Sequence, residues 1–433
     1  MIRSLLILLA LFAAACRKPD SAPAVPQHKD QPASGARVFP RGDLFPFMGY
    51  SGVPGRDARS GFSVAGPSYD EDQKAKLAEA KAAGLSYPYK VGIDMKFHAK
   101  PPEKPLELSA EEIKKRITAQ VKEVAADESI CWWYLGPEEL RHWRENEMAY
   151  LQSATEAIRA ADPMGRPIWM YEPNHRDAAS LEKTGRFLDV IGKGFYTNLA
   201  GYQDNRIWVR WSMEQETKAI EALGKADVGR IPIVMPELCA DPEDPALDHL
   251  IPAWTRHDTY LGLMCGGKGV AIWSLFPRNE VKRTWRIWYD SYSAIARELA
   301  GPSGLGQVFL HGIKEPLVEV SVLDGPKELP LTKGARNSLE TTTTSEAEKA
   351  EGVVTYPALC VTQLCFKGRT YIFLCNSSSD STIKYQSTPL PEGGTLTDVF
   401  PFRPYQPTNG KLYGWIAPLE VKCLRFDPAG TGG

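Results

Sequence analysis

The chain has 433 residues, 43% of them hydrophobic and 24% charged, with a formal net charge of −2. That balance is ordinary for a globular protein, the length suffices for a large core plus a second, smaller domain, and the lack of a basic stripe leaves nucleic acid no electrostatic footprint. The informative figure is aromatic: the 11 Trp and 17 Tyr cluster in the first 300 residues, often beside predicted strand ends, where they suit stacking against flat apolar faces such as those of sugar rings.

In chain order the first element is MIRSLLILLALFAAAC. Arg3, an apolar run from Leu5 and small residues before Cys16 read as an export signal, too short for a good membrane span. AAAC resembles a bacterial lipobox, with Ala13 where Leu is usual. The resemblance implies that Cys16 becomes the lipidated first residue of an exported protein anchored to the cell envelope. Residues 17–37 are rich in Pro, Ala and charge and are expected to be a flexible tether. Seven other Cys remain, an odd number, so at least one thiol is expected to be unpaired. Cys131, Cys239 and Cys265 fall in predicted core elements. Cys360, Cys365, Cys375 and Cys423 fall where pairing is open.

From residue 44 to about 300, short apolar strands alternate with amphipathic helices. LFPFMGY (44–50) is a strand, 69–84 a helix with a Gly stop, and LSYPYKVG (85–92) and IDMKFHA (93–99) are both extended. A Ser-capped helix spans 109–126, ICWWYLG (130–136) is the fourth strand, and a long helix covers 138–161. RPIWMYEPN (166–174), a helix near 178–187, DVIGKGFYTN (189–198), a helix near 213–224, RIPIVMPEL (230–238), a helix around 247–264, KGVAIWSLF (268–276) and a helix near 284–300 complete the series. Residues 85–108 leave little room for a helix between two strands, so the second helix is expected to be short or replaced by a loop. Up to eight alternations without a Gly-rich first turn indicate a (β/α)8 TIM barrel over 38–301. From 302 to 433 the period becomes two, as in a small antiparallel β-sandwich. Its polar stretch 332–352 is expected to be a loop.

Catalytic groups of such barrels stand where strands end at the carboxyl face. The fourth strand ends on Glu138 and Glu139, the fifth on Tyr171-Glu172, the sixth on FYTN (195–198), the seventh on Glu237 and the eighth on Trp273-Ser274. This order resembles the clan A retaining glycoside hydrolases, with Glu138-Glu139-Leu140 where that clan usually has Asn-Glu-Pro. The resemblance implies Glu139 as acid/base, with Glu138 as the runner-up, and Glu237 as nucleophile. It implies Tyr196 as the tyrosine that hydrogen-bonds the nucleophile and Trp273 as the floor of the subsite for the cleaved sugar. The residues themselves add Tyr50 and Lys90 at the pocket floor. Glu172 could bind sugar hydroxyls or hold an arginine, Asn174 and His175 could donate to such hydroxyls, and one or two of Trp208, Trp211, Trp254, Trp285 and Trp288 could stack on sugar.

The expectation is a lipid-anchored, monomeric glycoside hydrolase with an oligosaccharide or polysaccharide substrate and no metal or organic cofactor. Its rivals are another glycosidase mechanism with Glu138 or Glu172 as acid, a carbohydrate-binding surface lipoprotein without catalysis, and a structural surface protein.

Overall fold

The computed structural model describes residues 38–98, 104–198, 206–224, 229–301, 304–333, 343–349 and 352–429. The export signal, Cys16 and the tether lie outside the described residues. The barrel strands are β1 (Phe47–Gly49), β2 (Tyr87–Gly92), β3 (Ile130–Gly136), β4 (Ile168–Glu172), β5 (Val190–Lys193), β6 (Ile231–Pro232) and β7 (Val270–Ile272). β2 to β6 form one parallel sheet in chain order, and β7 pairs in parallel with β1. Bridges Val234–Val270 and Glu237–Trp273 join β6 to β7.

The remaining gap corrects the predicted order. Residues 93–98 form no strand. The second barrel position is taken by residues around Val64, which bridges Ser86 while its N–H donates to Phe47 O. The short connection is therefore α1 (Pro54–Arg59), six residues long. The backbone doubles back so closely that a Cβ at Gly66 would stand 1.9 Å from Gly49 O, so only glycine fits there. With Val64 counted, the ring has eight positions: β3 is the fourth, β6 the seventh and β7 the eighth.

The helices are α2 (Gln73–Ala82), α3 (Ala110–Val124), α4 (Glu145–Ala161), α5 (Ala178–Gly185), α6 (Trp208–Leu223), α7 (Ile251–Met264), α8 (Trp285–Leu299) and α9 (Leu305–His311). α3 begins at Ser109, whose hydroxyl accepts the Glu112 N–H, and buries Ile113, Ile117 and Val121 at helical spacing. α4 starts at Glu145, not 138, because residues 137–144 form a loop over the barrel mouth.

Strand alternation sorts side chains between two layers. Trp132, Tyr134, Trp169, Tyr171, Ile233 and Met235 share the barrel interior with Met48, Tyr50 and Ala271. Trp133, Leu135, Ile168 and Met170 point outward against Ile117, Val121 and Leu151.

The C-terminal strands are β8 (Ile313–Lys314), β9 (Val320–Asp324), β10 (Glu328–Lys333), β11 (Gly352–Pro357), β12 (Leu359–Phe366), β13 (Arg369–Asn376), β14 (Ile383–Pro389), β15 (Thr395–Asp398), β16 (Arg403–Tyr405), β17 (Lys411–Ile416) and β18 (Val421–Asp427). They form antiparallel sheets in the orders β16-β15-β18-β13-β12-β8, β17-β14-β9 and β10-β11. On β13, Ile372 and Leu374 face the sandwich core with Ile383, Tyr385 and Leu412. Phe373 and Cys375 face the barrel instead, with Tyr260 of α7 and Phe309 of α9. The fold is thus a (β/α)8 barrel followed by an antiparallel β-sandwich docked on it. The seven described cysteines are free thiols, so the pairing left open for the C-terminal four does not form. Of the stretch 332–352, residues 334–342 and 350–351 lie outside the described residues. Thr343, Thr344 and Glu348 are buried, which a wholly solvated loop would not be.

Candidate active site

A cavity of about 260 Å³ opens at the end of β3, lined by Tyr69, Lys90, His98, Gly136, Pro137, Glu138 and Glu139. β3 ends at Gly136, and the bend that follows brings both Glu138 and Glu139 to the cavity, Glu138 beside the interior Tyr134. Tyr134 Oη donates to Glu138 Oε1 at 2.5 Å, and Tyr69 Oη donates to Oε2 at 3.4 Å. Tyr50, fully buried, supports this from below, its hydroxyl 3.1 Å from that of Tyr134. Burial pushes the Glu138 carboxyl up to about 7. The Tyr134 hydrogen bond opposes the rise, the Glu139 charge adds to it, and Lys90 and Tyr69 oppose it. Glu139 also lines the cavity but is held differently: its φ is 54° and its N–H donates to Tyr171 O at 3.1 Å.

Trp273 leads from this carboxylate to the second one. Its Nε1–H donates to Tyr69 Oη at 3.2 Å, its ring stacks on Tyr196 at 5.1 Å between centroids, and the Arg278 guanidinium lies 4.4 Å from the ring centre. Its backbone pairs with Glu237, which brings the end of the seventh strand next to the Trp273 that reaches Tyr69; Glu237 itself is not among the residues that line the cavity. Glu237 is only 1% exposed. Its Oε1 accepts the Asn198 N–H at 2.7 Å and faces Thr197 Oγ1 at 3.0 Å, with Arg206 Nη2 at 3.7 Å. Its Oε2 accepts a longer contact from Cys239 Sγ, 3.4 Å. Tyr292 Oη fixes the backbone by donating to Glu237 O at 2.7 Å. The expected Tyr196 hydrogen bond to Glu237 is not made: the Tyr196 ring is held by Trp273, and the hydroxyl at Glu237 is that of Thr197, one residue on.

Comparison with family models and with curated proteins yields no match. Among solved structures, the chain is similar to AmyP in complex with maltose at 11% identity, with 92% of this chain and 98% of that one covered and a TM-score of 0.48. It is also similar to the glycoside hydrolase family 30 subfamily 8 xylanase Xyn30A from Clostridium acetobutylicum (9%, 89% and 96%, TM-score 0.46). A third similarity is to the GH27 β-L-arabinopyranosidase Abp from Geobacillus stearothermophilus (8%, 90% and 98%, TM-score 0.47).

Glu172 does not join the cavity. It has the outward parity of β4, is fully buried, and pairs with Arg176 at 3.3 Å, the arginine-holding alternative. Arg176 also pairs with Glu348 of the C-terminal region at 3.3 Å. Burial pushes Glu172 up to about 7. Asn174 and His175 are buried beside this cluster: Asn174 O accepts Lys193 Nζ at 2.9 Å, and His175 packs 5.9 Å from Trp208. Trp208, Trp211, Trp254 and Trp288 are buried in the core and form no sugar platform at the mouth; Trp285, half-buried, stacks on Tyr289. The site residues that the strand-end reading missed are Tyr69, Tyr134, Arg206 and Asp258; it reached Thr197 in FYTN but gave the role to Tyr196. Parity would have found Tyr134, two residues after interior Trp132. Arg206 and Asp258 sit in a loop and on α7 and carry no local signal.

Proposed function

We propose that the protein is a glycoside hydrolase acting on an extracellular glycan by double displacement, with Glu138 as acid/base and Glu237 as nucleophile. The observation that carries this is a pair of strand-end carboxylates in unlike surroundings, linked through Trp273: its indole N–H reaches Tyr69, which donates to Glu138, and its backbone pairs with Glu237. Glu138 is desolvated and retains its proton to near pH 7, as a general acid requires. Glu237 sits among donors that favour the ionised form: a backbone N–H, a hydroxyl and a guanidinium. In the first step a Glu237 carboxylate oxygen bonds to the anomeric carbon as the glycosidic C–O bond breaks. The Glu138 proton goes to the departing oxygen. In the second step Glu138 takes a proton from water, whose oxygen attacks the anomeric carbon and releases Glu237. Tyr69, Lys90 and Trp273 supply an aromatic wall and an ammonium group to orient a sugar. Export and lipid anchoring through Cys16 belong to the same proposal, motivated by AAAC and the Pro-rich stretch after it.

The test is a panel of aryl glycosides and natural glycans. Glu237→Gln is expected to abolish turnover on every substrate. Glu138→Gln is expected to lose about 10²–10⁴-fold on poor leaving groups and far less on activated ones. Azide is expected to rescue Glu138→Ala with retained configuration and Glu237→Ala with inverted configuration. If Glu139→Gln shows the leaving-group dependence and Glu138→Gln does not, the assignment moves by one residue. The near-complete burial of Glu237 favours a second reading, a carbohydrate-binding protein without catalysis. Glycan binding with no hydrolysis across the panel is its signature.

A further inference from the structure

Behind Glu237 runs a chain of polar side chains that ends in the other domain. Asp258, on α7, accepts Arg206 Nε on Oδ1 at 2.9 Å and Arg206 Nη2 on Oδ2. His257 Nδ1 lies 2.9 Å from Asp258 Oδ1, and His257 Nε2 lies 3.0 Å from Ser377 Oγ, just after β13 in the sandwich. His257 and Ser377 are fully buried and Asp258 is 2% exposed. The Asp–His–Ser connectivity is that of an acyl-transfer triad, but no substrate carbonyl reaches a hydroxyl so enclosed. The chain has another use.

Thr197 Oγ1 lies 3.0 Å from Glu237 Oε1 and 3.2 Å from Asp258 Oδ2. A hydroxyl has one proton, and two carboxylates compete for it. We infer that Ser377, acting through His257 and Asp258, assigns the Thr197 proton to Glu237 and so makes the sandwich domain a positioning part of the site. The logic is one of hydrogen-bond supply. The Ser377 hydroxyl donates to Nε2, which leaves the hydrogen of the neutral imidazole on Nδ1. That hydrogen and the two Arg206 bonds satisfy Asp258 without Thr197. The Thr197 hydroxyl is then free to donate to Glu237 Oε1, holding the carboxylate with Oε2 directed elsewhere. Without the His257 donation, Asp258 draws the Thr197 proton away, and Glu237 Oε1 loses that hydrogen bond.

The inference rests on the proposed role of Glu237, and its test separates the two. An Asn side chain places its N–H where Nδ1 stands and can still donate to Asp258. A Gln side chain reaches toward Nε2 and loses that donation. On a hydrolysed aryl glycoside, His257→Gln is expected to lower kcat about tenfold to a hundredfold with KM within about threefold, while His257→Asn recovers most of the loss. Both variants remove the same buried ring, so a merely structural role lowers kcat equally in the two, which overturns the inference. Ser377→Ala, a smaller change, is expected to lower kcat by about threefold to tenfold; an unchanged kcat also overturns it. Independently of any substrate, ¹⁵N-histidine NMR of the intact protein reads the His257 tautomer. Hydrogen on Nδ1 supports the chain, and hydrogen on Nε2 refutes it. If no glycoside is hydrolysed the proposed function fails, and the NMR result decides this inference by itself.

Discussion

Replacing Tyr134 with Phe tests the acid without removing it. The Tyr134 hydroxyl makes the shorter of the two hydrogen bonds to Glu138, 2.5 Å against 3.4 Å from Tyr69. Phe retains the ring between Tyr50 and Trp169, whose centroids lie 5.7 and 5.0 Å away. The lost bond favours the ionised carboxylate, so its loss raises the pKa. A hydrogen bond to a charged group is worth about 1.5–3 kcal/mol, and one pKa unit about 1.36 kcal/mol. The shift is therefore about one to two pH units upward from a starting value of about 7. A general acid works protonated, so kcat/KM falls as pH rises through its pKa. The alkaline limb, measured on a glycoside with a poor leaving group, is expected to move up by that amount in Tyr134→Phe. A limb that stays in place or moves down refutes the assignment of the acid to Glu138. Stability gives a check without substrate. A carboxyl raised from 4.5 to about 7 stabilises the fold relatively more below pH 4.5, and that contribution is lost as pH rises to 7. Glu138→Gln, which cannot ionise, is expected to gain in Tm relative to wild type at pH 8 and not at pH 4.

Other perturbations separate structure from chemistry. Glu172→Gln is expected to destabilise by about 1–3 kcal/mol in urea melts, because Arg176 retains Glu348 as a charged partner, with kcat within about twofold of wild type. Phe373→Ala, at the barrel–sandwich interface where its ring lies 4.6 Å from that of Phe309, is expected to cost about 3–5 kcal/mol; a loss below about 1 kcal/mol would mean that the sheet docks without this contact. Cys16→Ser is expected to release a soluble form or leave an uncleaved precursor; unchanged membrane association and processing would refute the lipid anchor.

The alternation of elements was legible because each barrel strand is a short apolar run followed by a helix with a readable period or cap, as at Ser109. What misled was length. Residues 93–98 resemble a strand in composition, yet a strand there would have needed a partner and a crossover. The chain had already filled the second position with a single bridge at Val64, too short to announce itself by periodicity. Gly66, which lets the backbone approach Gly49, was the one local sign of it. The buried residues within 332–352 were illegible for a different reason. Glu348 is polar, and its distant partner Arg176, together with the Ser345 N–H, makes its burial tolerable.

The candidate site shows where strand-end reading runs out. It collects every carboxylate that emerges at the mouth, but emergence does not say which layer a side chain enters. Parity does. Tyr171 is interior, so Glu172 belongs to the outer layer and needs a cation there, which Arg176 provides. Trp132 and Tyr134 are interior, and Glu138, past the end of that strand, is held by the Tyr134 hydroxyl, while Glu139 is left-handed and its N–H donates to Tyr171 O. On the seventh strand Ile233 and Met235 are interior, and Glu237 follows them. In WWYLGPEEL the alternation ends with the strand at Gly136, both glutamates reach the cavity, and the Tyr134 and Tyr69 hydroxyls single out Glu138. The groups that set the state of Glu237 obey no such rule: Arg206, Asp258, His257 and Ser377 come from a loop, a helix and another domain. Their assembly is a property of tertiary packing, and no local pattern in the chain encodes it.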